Sequence, residues 1–312
     1  MNSVKRRDLL MNSAALGIVA AVSPKFARSG APGTAPAAAS SVSNPLRPPA
    51  EGSIPVAFLI SDGAVIIDFC GPWEVFQDAR IAGRKDSLFT TYTVAETTKP
   101  IRASGGMTIT PNFSYDSAPL PKVLVIPAQS TRSEASLAWI RKVAQTADVT
   151  MSVCNGAYLL AQTGLLAGKV ATLHHGSYGN FASQFPDVHV RRGARFVEAG
   201  NLASSGGLSS GMDLAFRVVE RYFGRDLATQ TAFDMEYQGK GWLNPDSNSI
   251  YTQKYVSTAN HPVCVVCGMQ VNPKTDLTSV YKGTIYNFCG LAHKQQFDAN
   301  PEDFVTSGVA IS

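Results

Sequence analysis

The 312-residue chain predicts an α/β fold: a doubly wound parallel sheet covered by helices on both faces, followed by a small metal-binding module. Three observations carry that expectation. Residues 54–60 (IPVAFLI) and 122–127 (KVLVIP) have the near-continuous hydrophobicity of strands buried on both faces. Such runs alternate with segments of helical periodicity, the order that builds parallel sheets through crossover helices. Past Trp242 the alternation stops, and three of the five cysteines fall between residues 264 and 289.

Composition narrows the class. Apolar residues make up 45% and charged residues 16% of the chain, as in a folded protein. The net charge of +4 comes entirely from residues 1–28, where Lys5, Arg6, Arg7, Lys25 and Arg28 face only Asp8. The remainder is neutral, without the basic excess of a nucleic-acid binder, so no nucleic-acid partner is expected. Arg6-Arg7 followed by Leu9-Leu10 resembles a twin-arginine signal spanning residues 1–28. The weakly apolar stretch behind it is too short for a comfortable membrane span. Export to the periplasm is therefore expected, with no stable membrane span after cleavage. Residues 29–52, rich in Ala, Pro, Ser and Gly, read as a flexible tether.

Residues 54–60 open the main domain, 53–243. Ile66-Ile67 ends a second apolar, β-favouring run, and Pro72 then suits the first turn of a helix that presents Trp73, Val75 and Phe76. Residues 89–95 form the next strand, 101–111 a hairpin or irregular excursion, and 122–127 a third buried strand. Ser133 caps a helix to 147 whose apolar face holds Leu137, Ile140, Val143 and Ala144. Beyond residue 164, strands are expected near 170–174, 188–190 and 196–204, and helices near 178–185 and 209–223.

Between them lies the stretch 149–163, VTMSVCNGAYLLAQT. A β-favouring run meets a helix-favouring one at Cys154, followed by Asn155-Gly156. A strand turning into a helix at one residue is a nucleophile elbow, which lifts the side chain out of the sheet edge. The same join puts the sulfur at a helix N-terminus, where unpaired N–H groups favour the thiolate. A buried, inert cysteine is the alternative. Ligands of doubly wound sheets bind at the carboxyl ends of the strands, where Cys154 falls. Asp68 could reach the same edge. Half-buried beside a thiolate, its carboxyl would hold a proton to donate; otherwise it is a helix cap or a surface acid.

Cys154-Asn155-Gly156-Ala157-Tyr158-Leu159-Leu160 with Gly164-Leu165-Leu166-Ala167-Gly168-Lys169 resembles the ThiJ/PfpI superfamily, within the class I glutamine amidotransferase-like fold. Asp68-x-x-Gly71-Pro72-x-Glu74-Val75-Phe76 is similar to its isonitrile hydratase branch. So is Gly200-Asn201-Leu202-x-Ser204-Ser205-Gly206-Gly207-x-Ser209-x-Gly211-Met212-Asp213. The resemblance covers residues 55–237. It implies a flavodoxin-like α/β/α sandwich, often a homodimer, acting on a small-molecule substrate without a cofactor in the main site. It makes Cys154 the nucleophile and Asp68 its acid/base partner, with the N–H groups of Asn155 and Ala128 stabilising the adduct. Two departures stand out. Asn155 occupies the place of a histidine in protease-like members, and Pro127-Ala128-Gln129 replaces a common Pro-Gly-Gly. His174 falls where relatives have a histidine and is a possible pocket residue, as are Gly71, Gly206 and Gly207. The glycines suit tight turns and close packing as well.

Residues 244–260 are turn-rich and read as a linker. The last module, residues 261–305, is too small to be confidently stable on apolar burial alone. Cys264, Cys267, Cys289 and His293 give three thiolates and an imidazole, a closed tetrahedral set for a structural ion, most simply zinc, with copper the soft alternative. The four-residue spacing of Cys289 and His293 would put both on one face of a helix beginning there. Cys267-Gly268-Met269 and Tyr281-Lys282-Gly283-Thr284-Ile285-Tyr286-Asn287-Phe288-Cys289 resemble a YHS domain, with His293 in place of a usual second cysteine and Cys264 additional. A Cys264–Cys267 disulfide in an oxidising periplasm is the competing arrangement. The expected function is an exported, cysteine-dependent hydro-lyase or hydrolase. The alternative is a periplasmic heavy-metal binding or sensing protein whose main domain does not catalyse.

Overall fold

The computed structural model describes residues 43–305, except 131, 253, 273, 275 and 276. The expected signal, 1–28, and most of the expected tether lie outside the described residues. From Ser43 that tether is held on the fold. The Arg217 guanidinium donates to the Ser43 carbonyl at 2.7 Å, and Leu46 N–H donates to the Arg221 carbonyl at 2.7 Å. Its composition predicts flexibility, but its backbone satisfies buried arginines.

The main sheet has seven strands. In chain order its central members are β1 (Ile54–Leu59), β2 (Phe89–Ala95), β6 (Val123–Ile126) and β7 (Val149–Val153). A small hairpin, β3 (Ile101–Arg102) with β4 (Thr108–Ile109), and the edge strand β5 (Phe113–Ser114) precede β6. β8 (Val170–Ala171) and β9 (His189–Val190) pair separately, and β10 (Phe196–Ala199) and β11 (Leu202–Ser205) complete the sheet. Spatial order is β10-β11-β7-β6-β1-β2-β5, parallel throughout except for β10 against β11. The expected strand over 196–204 is this hairpin, turned at Gly200-Asn201, where Gly200 has φ +71°.

Alternation along each strand divides two apolar layers. Val56 and Phe58 of β1 face a core with Phe76, Leu214 and Phe216, under α1 (Ile66–Asp78), α5 (Ser210–Phe223) and α6 (Arg225–Asp234). Ala57 and Leu59 face a second core with Ile140, Leu160 and Phe181, under α2 (Glu134–Ala144), α3 (Gly156–Gln162) and α4 (Tyr178–Gln184). The arrangement is the expected doubly wound α/β sandwich. Ser133 caps α2 as expected, accepting from Ser136 N–H at 3.1 Å.

One boundary moves. Ile66-Ile67 opens α1 rather than ending a strand, so Asp68 sits in the helix's first turn and Pro72 inside it. The β-branched pair favours a strand locally. The helix wins because Asp68 and Phe69 are buried against the sheet, and Pro72 removes only the amide that would have bonded the Asp68 carbonyl. The expected linker at 244–260 also packs. Asn248 is buried, bonding the Arg195 guanidinium at 3.1 Å and Ser210 Oγ at 3.3 Å.

The C-terminal module contains the hairpin β12 (Thr278–Tyr281) and β13 (Thr284–Asn287), then α7 (Leu291–Ala299). Cys264, Val265, Val266, Val271, Phe288, Phe297 and Phe304 form its core. α7 begins after Cys289, with Gly290 at its N-cap. Cys289 and His293 therefore do not share a helical face, as their spacing suggests; the loop at Gly290 swings Cys289 onto the same point instead.

Candidate functional site

Four strand ends converge. β1 leads into α1 and Asp68, β6 into Ala128, β7 into Cys154, and β11 into Gly206-Gly207-Leu208. Cys154 has φ +57°, a left-handed backbone rarely adopted by a residue with a side chain, and its N–H donates to the carbonyls of Ser205 (3.2 Å) and Gly206 (3.1 Å). Those bonds hold the elbow. Gly156 completes it, because a methyl there would collide with the carbonyl oxygens of Ile126 and Pro127.

Asp68 is fully buried. Its Oδ2 accepts from Ala128 N–H at 3.1 Å, and Oδ1 has no conventional hydrogen-bond partner among the described residues. Burial is the main force raising the carboxyl from 3.8 to about 7, against the opposing Ala128 N–H and the nearby Cys154 thiol. The thiol moves the same way: burial, then the charge of Asp68, push Cys154 up to about 11. The N–H groups of Asn155 and Leu208 lean on the sulfur in the opposite sense and are outweighed. Burial thus works against the thiolate that a helix N-terminus would favour, and it outweighs the few N–H dipoles. Ala128 also differs from expectation, since its N–H is engaged by Asp68. A donor the sequence did not reveal is Leu208, at φ +53°. Gly206-Gly207 flags a turn there, but a leucine in a left-handed conformation runs against propensity and leaves no signal.

His174 is half-buried against Gly207, where any side chain would strike its ring. Its Nδ1 accepts from Gly176 N–H at 3.2 Å, its ring lies 4.5 Å from that of His175, and burial lowers its proton affinity. It supports the loop that carries Leu208. Gly71 packs on Met212, and Gly206 on Asn248 and Ser210. Asp213 is buried on Arg195 at 2.6 Å and on Trp242 N–H at 2.9 Å, a structural pairing. A neighbouring cavity of about 130 Å³, lined by Asp62, Glu96, Tyr115, Gln129 and Leu159 among others, includes neither Cys154 nor Asp68.

In the module, the ligand atoms of Cys264, Cys267, Cys289 and His293 lie within 4.8 Å of one another. Cys267 and Cys289 sulfurs are 3.5 Å apart, and His293 Nδ1 is 3.0 Å from Cys289 Sγ and 3.7 Å from Cys264 Sγ. A tetrahedral zinc with Zn–S of about 2.3 Å needs sulfurs about 3.8 Å apart, so the set fits with small adjustments. All five cysteines are free, including Cys264 and Cys267 of the competing disulfide. The Cys267 thiol and the His293 ring hold Cys264 far below the usual thiol range, while Cys264 in turn holds the proton on Cys267.

No helix among the described residues is long and apolar enough to cross a membrane. A DJ-1/PfpI family profile matches residues 55–221, and a YHS domain profile matches residues 265–307. Over 190 residues the chain is 27% identical to an isonitrile hydratase of Pseudomonas putida, covering 59% of this chain and 79% of that one. It is 25% identical over 178 residues to the HTH-type transcriptional regulator GbdR of Pseudomonas aeruginosa, covering 55% of this chain and about half (48%) of the regulator. A ThiJ/PfpI family protein from Pseudomonas syringae shares the fold at TM-score 0.54 and 23% identity, over 61% of this chain and 77% of that one. Drosophila melanogaster DJ-1beta does so at 0.51 and 16%, over 59% and 98%. With the sheet, the elbow and a profile that spans more than half of its residues, the chain belongs to the DJ-1/PfpI family and carries a C-terminal YHS domain.

Proposed function

We propose that this chain is a cysteine-dependent hydro-lyase or hydrolase acting on a small electrophile, with an isonitrile as the working substrate class. The observation that supports this best is the pairing of an elbow cysteine with a fully buried carboxyl raised to about 7. A group titrating near the working pH gives and takes a proton with equal ease.

In the reaction, Asp68 protonates the isonitrile carbon. The Cys154 sulfur bonds to that carbon, and the thiol proton returns to the carboxylate. Water then adds across the C=N bond of the thioimidate, Asp68 delivering its proton to nitrogen and taking one from the water. The C–S bond breaks, the hydroxyl proton of the adduct passes to the departing sulfur, and an N-substituted formamide leaves. Each proton removed is replaced, and no oxidant or reductant is needed. The N–H groups of Asn155 and Leu208 stabilise charge on sulfur. The 27% identical isonitrile hydratase supports the substrate class. The test is incubation with a panel of alkyl and aryl isonitriles, with the formamide measured by mass spectrometry. Wild type forms it and Cys154→Ala does not; formamide from the pure variant would overturn the nucleophile.

The module binds one zinc ion, or copper, through Cys264, Cys267, Cys289 and His293. The protein works in the periplasm as a homodimer, exported folded by the twin-arginine route. Replacing Arg6 and Arg7 by lysine leaves it in the cytoplasm; unchanged periplasmic yield on fractionation argues for another route. A second reading, a heavy-metal binding or sensing protein, is favoured by the burial of Cys154, which raises its thiol and opposes the nucleophilic form. No formamide from any isonitrile, with intact metal binding, selects it.

A further inference from the structure

The module's metal ligands do not stand alone. We propose that helix α4 of the DJ-1/PfpI domain forms the outer shell of the metal centre, with Ser183 and the Gly179 carbonyl as positioning groups for His293. The proposal rests on reading the module as a metal site.

His293 Nε2 lies 3.2 Å from the Gly179 carbonyl oxygen and 2.6 Å from Ser183 Oγ. A carbonyl oxygen only accepts, so Nε2 carries the ring proton. Ser183 also donates its own hydroxyl hydrogen to the Gly179 carbonyl at 3.0 Å. That leaves a lone pair on Ser183 Oγ for the Nε2–H. Both contacts then agree on one tautomer, in which Nδ1 has a free lone pair. Nδ1 is the nitrogen that faces the Cys264 and Cys289 sulfurs. A histidine ligand whose far nitrogen donates to a fixed acceptor is held in orientation and made more basic toward the ion.

Two more features seat the DJ-1/PfpI domain on the cluster. Arg192, just C-terminal to β9, donates to the carbonyl of Val266, between two of the ligands, at 2.9 Å. Glycine at 179 lets the helix approach, because a methyl there would lie 3.0 Å from Cys267 Cβ. His293 itself is buried, although it belongs to a module with a small core. Capture of the ion and seating of the module on α4 are therefore coupled, and by linkage each favours the other.

The test uses the full chain with zinc alone, its affinity set by competition with a chromophoric chelator. Ser183→Ala should weaken zinc binding about 10-fold, the low end for loss of an outer-shell partner, since the Gly179 carbonyl remains. Ser183→Asp should bind zinc at least as tightly as wild type, because a carboxylate is a stronger acceptor for the same N–H. A packing defect would weaken both variants alike, and that result overturns the proposal, as does Ser183→Ala within 2-fold of wild type. Nitrogen-15 NMR of the zinc-loaded protein adds a direct reading: the proton sits on His293 Nε2, and a spectrum with it on Nδ1 overturns the assignment. If wild type does not bind zinc, the metal reading and this proposal fail together. If it binds tightly regardless of Ser183, only this proposal fails.

Discussion

Cys154 stands over a seven-stranded sheet between two large apolar layers, whereas, among the described residues, the Cys264–Cys267–Cys289–His293 cluster rests on a small core with six other buried side chains. In the first region the scaffold dictates the chemistry. The sheet forces Cys154 into a left-handed backbone and buries Asp68 whether or not the protein performs any reaction. In the second, the chemistry is part of the scaffold. The fully buried Cys264 is both a core residue and a member of the Cys/His cluster, and burial of so few apolar groups does little to offset the chain entropy of some 45 residues. The contrast teaches that similar cysteines can be products of a fold or members of the set that makes it.

The largest effect that separates the two is metal removal. Chelation should strip hydrogen-exchange protection from residues 261–305 while β1, β6 and β7 keep theirs, because only the module depends on the ion for stability. Acid should act like a chelator, since protons compete for thiolates and imidazole as the pH falls. A module that stays protected after its metal is shown to be gone would erase the comparison and return Cys264 and Cys267 to the disulfide reading.

Legibility followed the same divide. The doubly wound order, the Ser133 cap and the joining of Cys154 and Asp68 at one sheet edge could be argued from apolar runs and turn residues, because local pattern and global packing agree there. The cluster was legible from ligand type and spacing, and Cys264 was identified even though the matched YHS stretch begins one residue later. What escaped depends on distant parts of the chain. The start of α1 at Ile66 is decided by packing against strands, not by its β-branched residues. The upward shift of the Cys154 thiol comes first from desolvation, which no local dipole argument measures. The Leu208 N–H and the seating of His293 on Ser183 join residues far apart in sequence, the latter pair by 110 positions.

The smaller effect is the pH response of Asp68, and its sign should oppose that of the module. The folded carboxyl titrates at about 7 and an unfolded one at about 3.9. Between those values the native protein holds a proton that the unfolded chain releases, so unfolding free energy falls as pH rises. The loss is complete above about pH 7 and amounts to about 4 kcal/mol at most, less once the surroundings relax. Asp68→Asn cannot ionise, and its amide oxygen can still accept from Ala128 N–H. The variant should therefore gain on wild type in melting temperature between pH 4 and pH 8, measured with the module metal-loaded at every pH. It should also lose turnover by about 10²- to 10⁴-fold with little change in KM, since proton transfer is removed rather than binding. Wild-type turnover should decline above about pH 7 as the acid is lost, and the variant's residual rate should not show that decline. A melting-temperature difference that stays flat with pH would mean Asp68 is ionised in the fold. The first region would then be as dependent on a charged partner as the second.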